Sequence, residues 1–165
     1  MTAYSDFMAR AYTMELEAQE RYQQFAEQLE THNNTEVAQV FRKLAEIEGL
    51  HAKTILKQMG WSALPALPPA YAWEGEAPET APFESVHYLM QPYHALDIAL
   101  RGEIRAQQYF EDIARLAKSD DVRKAAIELA LEEKEHVQLI RSWMQRVPQP
   151  KPQWDEDPDP ARITE

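Results

Sequence analysis

The sequence lacks cysteine altogether, in a chain of 165 residues. This absence excludes disulfide bonds, zinc sites with thiolate ligands and iron–sulfur clusters. It also excludes any rubredoxin-type iron centre within these residues, because that centre is held by cysteine thiolates. Redox chemistry carried by sulfur ligands is therefore removed from the functions that this sequence can encode.

Glycine is scarce and proline is confined to two segments. The chain has four glycines and eleven prolines, and every proline lies between Pro65 and Pro92 or between Pro148 and Pro160. Proline inside a helix costs about 3 kcal/mol, so long proline-free stretches favour helices. The distribution predicts a helical bundle over residues 1–147, interrupted by a connection over residues 61–91, and a proline-rich acidic tail over residues 148–165.

Positive charge is also in short supply, and the net charge is −11 at pH 7. Such a chain repels nucleic acids and anionic membranes, which disfavours both as partners. No apolar run approaches the roughly 18 residues of a membrane span. The first ten residues show no apolar core with basic flanks, as a secretory signal would. We therefore expect a cytoplasmic protein that binds neither nucleic acid nor membrane.

Four stretches carry apolar residues at alternating spacings of three and four, the pattern of packed helices. They predict helices from Ser5 to Glu30, from the Thr31–Asn34 turn to Met59, from Pro92 to Ala117, and from the Ser119 cap to Val147. Helices of about 26 residues are about 39 Å long, a distance that the 61–91 connection can span. The predicted fold is all-α: a four-helix bundle with one long crossover between the second and third helices.

Polar residues interrupt each apolar stripe at one matching level. The second and fourth helices each carry a Glu-x-x-His motif, and the first and third each carry a lone glutamate; these residues are Glu15, Glu48, His51, Glu103, Glu133 and His136. The spacing i, i+3 puts the glutamate and the histidine of a motif on one face of a helix. In both hairpins the glutamates lie about 22–25 Å from the turn at 1.5 Å per residue. One layer of the core can therefore receive all six side chains.

Four buried carboxylates in one layer require compensating positive charge. Burial of an unpaired carboxylate costs several kcal/mol, and a net stability of about 5–15 kcal/mol could not absorb four. Two divalent cations would balance the charge, and neutral imidazole is a good ligand for iron, manganese and zinc. The six residues therefore predict a site for two metal ions, with iron, manganese and zinc as candidate metals.

At these residues the chain resembles the rubrerythrin branch of the ferritin-like superfamily. The resemblance covers about residues 5–147 and includes Tyr22, seven residues after Glu15, and the Gly102-Glu103 pair. It implies a ferritin-like four-helix bundle whose two iron ions oxidise Fe(II) with O2 or reduce hydrogen peroxide. Rubrerythrins proper also have a cysteine-bearing rubredoxin-like tail, and a further glutamate where this chain has Ala106. The ligand set here is therefore closer to that of ferritin-type ferroxidase centres.

Several functional interpretations follow from the same ligands. The first is a di-iron oxidoreductase that uses O2 or hydrogen peroxide and draws on an electron donor that this chain does not encode. The alternatives are an iron-binding or storage subunit and a di-iron hydroxylase of an organic substrate. The tail does not resemble the fifth helix of ferritin cages, so we expect a homodimer. Tyr22 is a core residue that could also hydrogen-bond a ligand carboxylate, and Glu132 is expected to be solvated.

Overall fold

A computed structural model describes residues 2–31, 35–62 and 92–149. These residues form four helices: α1 (Ala3–Thr31), α2 (Thr35–Met59), α3 (Pro92–Leu116) and α4 (Asp120–Met144). The described residues contain no strand. The predicted all-α class is therefore confirmed, and the helix bounds agree with the sequence pattern to within three residues at every end.

The ends of α1 and α2 are determined by local hydrogen bonds. The backbone N–H of Ser5 donates to Thr2 Oγ1 and the backbone N–H of Thr2 donates to Ser5 Oγ, each over 3.0 Å, so Thr2 caps α1. At the end of α2, Gly60 takes a positive φ of 68°. That conformation lets the N–H of Trp61 donate to the carbonyl of Leu56 over 3.0 Å, which closes α2 in a Schellman motif.

The last helix begins as predicted and ends early. Ser119 is its N-cap and accepts a hydrogen bond from the backbone N–H of Val122. Its last helical residue is Met144, whereas the sequence pattern predicts Val147. Pro148 disfavours helical backbone at the residue before it, so the final turn of the apolar pattern does not stay helical.

Two apolar clusters fill the bundle, one toward each end. One contains Val37 of α2 together with Leu96 and Ile140. The other contains Ile55 of α2 together with Phe110. The start of α2 therefore lies with the start of α3, and the two helices run parallel.

A parallel α2–α3 pair means that the chain leaves α2 at one end of the bundle and begins α3 at the other. This is the geometry that a crossover between the second and third helices requires. Most of the predicted connection (61–91) and of the predicted tail (148–165) lies outside the described residues. Among the described helices, none is both long enough and apolar enough to cross a membrane.

Candidate metal centre

A polar layer separates the two apolar clusters on every helix. On α1, Met14 belongs to one cluster and Ala18 to the other, and Glu15 lies between them. On α3, Glu103 lies between Ala99 and Ala106 in the same way. The Glu-x-x-His motifs of α2 and α4 fall in the corresponding intervals. The layer predicted from helical periodicity is therefore present in the packed core.

The carboxylates in this layer are withdrawn from solvent. Glu15, Glu103 and Glu133 are 0% exposed and Glu48 is 1% exposed. His136 is also buried, whereas His51 is half-buried with 21% of its side chain exposed. The site is thus closed on the His136 side and reaches the surface beside His51.

His136 lies among three of the four carboxylates. Its Nδ1 atom is 3.3 Å from Oε1 of Glu48, 3.5 Å from Oε2 of Glu103 and 3.4 Å from Oε2 of Glu133. These contacts come from three helices and from both hairpins. The carboxylates of α2, α3 and α4 therefore meet around Nδ1 of His136.

His51 connects the remaining carboxylate to this group. Its Nδ1 atom is 3.8 Å from Oε1 of Glu15, and its Nε2 atom is 3.3 Å from Nε2 of His136. The two imidazole rings are stacked with their centroids 4.5 Å apart. The structure therefore brings all six residues predicted from the sequence into one connected cluster.

Three of the carboxylates in this layer lack hydrogen-bond donors among the described residues. Both carboxylate oxygens of Glu15, Glu103 and Glu133 are buried and accept no hydrogen bond from the residues that the structure describes. Buried polar atoms in proteins normally find a partner, because leaving one unsatisfied costs about 1–3 kcal/mol. A set of unsatisfied oxygens converging on one point indicates a binding site for cations.

The pKa values show how the layer balances its charge with protons. Burial raises the pKa of Glu133 well above its usual range, and the charges of Glu103 and Glu15 raise it further. Burial alone would lower the pKa of His136, but its contacts with Glu103, Glu133 and Glu48 raise it well above the usual value instead. Burial would likewise raise the pKa of Glu103, but the neighbouring Glu133 and His136 lower it. Protons on Glu133 and His136 thus offset part of the negative charge.

The spacing of the donor atoms fits coordination. Two ligands about 2.1 Å from one ion lie about 3.0 Å apart at a right angle and about 3.4 Å apart at a tetrahedral angle. Two groups bring their donor atoms within 4.8 Å of one another: His51, Glu133 and His136; and Glu48, Glu103 and His136. Carboxylate oxygen and imidazole nitrogen suit iron, manganese and zinc. The residues present therefore fit metal binding in this layer, with His136 common to both groups.

One residue beside the site was not predicted from the sequence. Glu132 lies off the apolar stripe of α4 and was expected to be solvated, but it is only half-exposed, and its Oε1 atom is 3.3 Å from Nδ1 of His51. A signal was available, because Glu132 precedes His136 by four residues and so shares a side of the helix with it.

Two further positions bear on the prediction. Tyr22 is fully buried, and its ring packs against Phe41 at a centroid distance of 5.7 Å. This packing agrees with its interpretation as a core residue. The carboxylate oxygens of Glu15, Glu103 and Glu133 accept no hydrogen bond from its hydroxyl. Ala106 is fully buried in the same apolar cluster as Met14 and Phe110, so no carboxylate enters the core one turn after Glu103.

Comparison with known proteins places this geometry in a family. Residues 6–64 match the model of the rubrerythrin family. The crystal structure of an uncharacterized conserved protein from Magnetospirillum magnetotacticum MS-1 is 36% identical to the chain and superposes with a TM-score of 0.67, over 92% of this chain and 99% of the other. The chain belongs to the rubrerythrin family. A comparison with curated proteins gives no significant match.

Membership of the rubrerythrin family agrees with the position of the cluster. The family match includes α1, α2 and the first Glu-x-x-His motif. The structural likeness extends over most of the chain and thus includes the second hairpin with Glu103, Glu133 and His136. This rubrerythrin-family chain carries no cysteine, so a rubredoxin-type centre is absent from its 165 residues.

Proposed function

We propose that this protein is a non-haem di-iron oxidoreductase that oxidises Fe(II) with O2 or reduces hydrogen peroxide. The observation that carries the proposal is the buried layer in which four carboxylates and two imidazoles converge. Both oxygens of Glu15, Glu103 and Glu133 in this layer accept no hydrogen bond from the described residues. The residues that would hold two iron ions are Glu15, Glu48, His51, Glu103, Glu133 and His136. Manganese and zinc suit the same ligands and are the competing metals.

Iron held in this layer would supply reversible one-electron chemistry toward O2 or hydrogen peroxide. The chain contributes the positions of the ligands, which come from all four helices and are fixed by the packed clusters on either side. Those clusters also keep bulk water away from the buried carboxylates, so that the charges interact in a low-dielectric environment. Glu133 and His136 hold protons that must leave before both groups can bind a cation.

The apolar surroundings of Ala106 favour Fe(II) oxidation over peroxide reduction. Rubrerythrins proper place a further glutamate at this position, and that carboxylate belongs to their peroxide chemistry. Here the methyl group of Ala106 packs in an apolar cluster and brings no donor atom. We therefore expect reaction with O2 to be the faster of the two, with reducing equivalents for repeated turnover coming from a separate protein or small molecule.

The proposal is tested by anaerobic titration of the metal-free protein with Fe(II). The loaded protein is then mixed with O2 and, separately, with hydrogen peroxide in a stopped-flow spectrophotometer. We expect two Fe(II) per chain and a rapid rise of near-ultraviolet absorbance as iron is oxidised. Binding and oxidation should be lost in Glu48→Gln and in Glu133→Gln. They should persist in Glu46→Gln, which removes an exposed glutamate from α2.

Two results would contradict this function. Absence of stoichiometric Fe(II) binding would mean that protons alone offset the negative charge of the layer. Equal binding in the wild type, Glu48→Gln and Glu133→Gln would mean that iron binds elsewhere. The same titration distinguishes the storage alternative, because a storage subunit would continue to take up and retain iron well beyond two ions per chain after repeated additions of Fe(II) and O2.

A further inference from the structure

Glu132 lies at the solvent edge of the metal centre, where the layer meets the surface. It is on α4, directly before the buried Glu133, and 41% of its side chain is exposed. Its Oε1 atom is 3.3 Å from Nδ1 of His51 on α2. That same nitrogen is 3.8 Å from Oε1 of Glu15 on α1. Two carboxylates from two other helices therefore flank one side of the His51 ring.

The contact between Glu132 and His51 is not a hydrogen bond. Nδ1 of His51 is buried and makes no hydrogen bond with any residue that the structure describes. A nitrogen and an oxygen 3.3 Å apart without hydrogen-bond geometry have the separation of two ligands of one ion, which is about 3.0–3.4 Å for bonds of about 2.1 Å. Glu15 lies on the same side, with its Oε1 atom 3.8 Å from this nitrogen. Both of its oxygens are buried and accept no hydrogen bond from the described residues.

The two sides of the centre are therefore built differently. Around Nδ1 of His136 the three neighbouring carboxylates are all buried. Around Nδ1 of His51 one carboxylate is buried and the other, that of Glu132, is open to solvent. An ion on the His136 side would be enclosed by protein, whereas an ion on the His51 side would have one ligand that can exchange with water.

From this arrangement we propose that Glu132 is a seventh metal-binding residue, which ligates the ion on the His51 side together with His51. The proposal rests on the two-metal site of the proposed function. Within the ligand set Glu132 has the most exposed carboxylate, so it is the group that a cation arriving from solvent meets first. Its departure and return would open and close one coordination position without moving a helix.

Cobalt(II) is a suitable probe, because it occupies carboxylate–imidazole sites and its visible absorption reports the number of ligands around it. Metal-free wild type, Glu132→Gln and Glu135→Gln are titrated with Co(II) by calorimetry and by visible absorption. Glu135→Gln is the matched control, because it removes the same charge from an exposed position on the same helix. The thermal unfolding of each metal-free variant is recorded to establish that it folds.

We expect two Co(II) per chain in the wild type and in Glu135→Gln. In Glu132→Gln one of the two ions should bind at least about tenfold more weakly, and the absorption of that ion should change, because its coordination number changes. The other ion should keep its affinity and its spectrum. In a His51→Ala background the additional loss caused by Glu132→Gln should be smaller, because both residues serve the same ion.

Two outcomes would overturn the assignment while leaving the two-metal site intact. One is binding of two ions by Glu132→Gln with wild-type affinities and spectra. The other is a weakened affinity with an unchanged spectrum, which would mean that Glu132 orients His51 without touching the metal. By contrast, failure of the wild type to bind Co(II) in the layer would contradict the proposed function itself.

Discussion

Glu133 is the residue whose ionisation most clearly opposes folding of the metal-free protein. Its carboxyl is fully buried, and burial together with the charges of Glu103 and Glu15 raises its pKa well above the usual value of 4.5. Below pH 4.5 the carboxyl is protonated in both folded and unfolded chains and has no net effect. As the pH rises, only the unfolded chain ionises freely. The free energy of unfolding therefore falls progressively until the pH reaches the raised pKa of Glu133.

We therefore predict that Glu133→Gln stabilises the metal-free protein at neutral pH. The amide cannot ionise, and the gain should reach about 1–3 kcal/mol at pH 7 and vanish near pH 4.5. Urea denaturation of both proteins between pH 4.5 and 7.5 measures the difference. The exposed Glu135→Gln should show no such trend, and a pH-independent difference for Glu133→Gln would contradict the buried-proton account.

Metal binding should release protons from the same two groups. The pKa of His136 is raised by its contacts with Glu103, Glu133 and Glu48, against the effect of burial, so its stabilising proton is fully present below pH 6.5 and lost as the pH rises through the raised pKa. A metal ion must displace this proton and that of Glu133. We predict proton release on Co(II) binding at pH 7 and weaker binding at pH 5.5.

Calorimetry in two buffers with different ionisation enthalpies measures this release. The apparent binding enthalpies should differ in proportion to the protons transferred, and Glu133→Gln should reduce any release that accompanies its residual binding. Identical enthalpies in both buffers would show that neither group holds a proton in the metal-free layer.

The six residues of the polar layer could be predicted from the sequence because each lies on an apolar stripe that must face the core. Burying an unpaired charge in that position costs several kcal/mol, so a glutamate on the stripe indicates a compensating partner. Glu132 lacked this signal. Its contact with His51 depends on how α2 and α4 approach each other across the bundle, and helical periodicity describes only one helix at a time.

At the scale of the helix, Gly49 within the first Glu-x-x-His motif allows α1 and α2 to approach closely. A Cβ atom built on Gly49 would lie 2.3 Å from Nε2 of Gln19 on α1. Alanine is favoured over glycine inside a helix by about 1 kcal/mol, but here the flexible Gln19 amide would have to move. Two effects of similar size therefore oppose each other at this position.

A double-mutant cycle separates the two effects. We predict that Gly49→Ala changes the free energy of unfolding by less than about 1 kcal/mol in the wild type. In a Gln19→Ala background the same substitution should stabilise the protein by about 0.5–1 kcal/mol, because the obstructing amide is gone. Chemical denaturation of the four proteins measures the coupling, and equal effects in both backgrounds would mean that the close approach has no energetic consequence.

The positions of the helices were predictable from the sequence because proline placement and apolar spacing depend on the geometry of each helix by itself. Helix ends were less so. The sequence predicts Ser5 or Asp6 as the cap of α1, but the cap is Thr2, which pairs reciprocally with Ser5. The early end of α4 likewise depends on the backbone before Pro148, where an apolar pattern gives no information.

At the scale of the whole molecule, the polar layer links the two hairpins through contacts of His51 and His136 with residues of the other hairpin. Helices α1 and α2 pack along their lengths, as do α3 and α4, and the contacts between hairpins are sparser. The crossover was predictable because the proline-rich connection is long enough to traverse the bundle, and the parallel α2–α3 pair agrees with it. The apolar clusters on both sides of the layer are complete without metal, so the metal-free protein should remain folded.

We accordingly predict that bound metal adds stability to a chain that already folds. Each ion at a concentration 100-fold above its dissociation constant contributes about 2.7 kcal/mol, or about 5 kcal/mol for two. For a domain of this size, that corresponds to an increase in Tm of about 10–20 °C. Thermal unfolding followed by circular dichroism, with Co(II) and after chelation, measures the increase, and the doubly substituted Glu48→Gln, Glu133→Gln variant should lose most of it. If chelation instead abolished cooperative unfolding, the apolar clusters would be insufficient, and metal would be required for the fold itself. An unchanged Tm would show that the layer does not bind the ion.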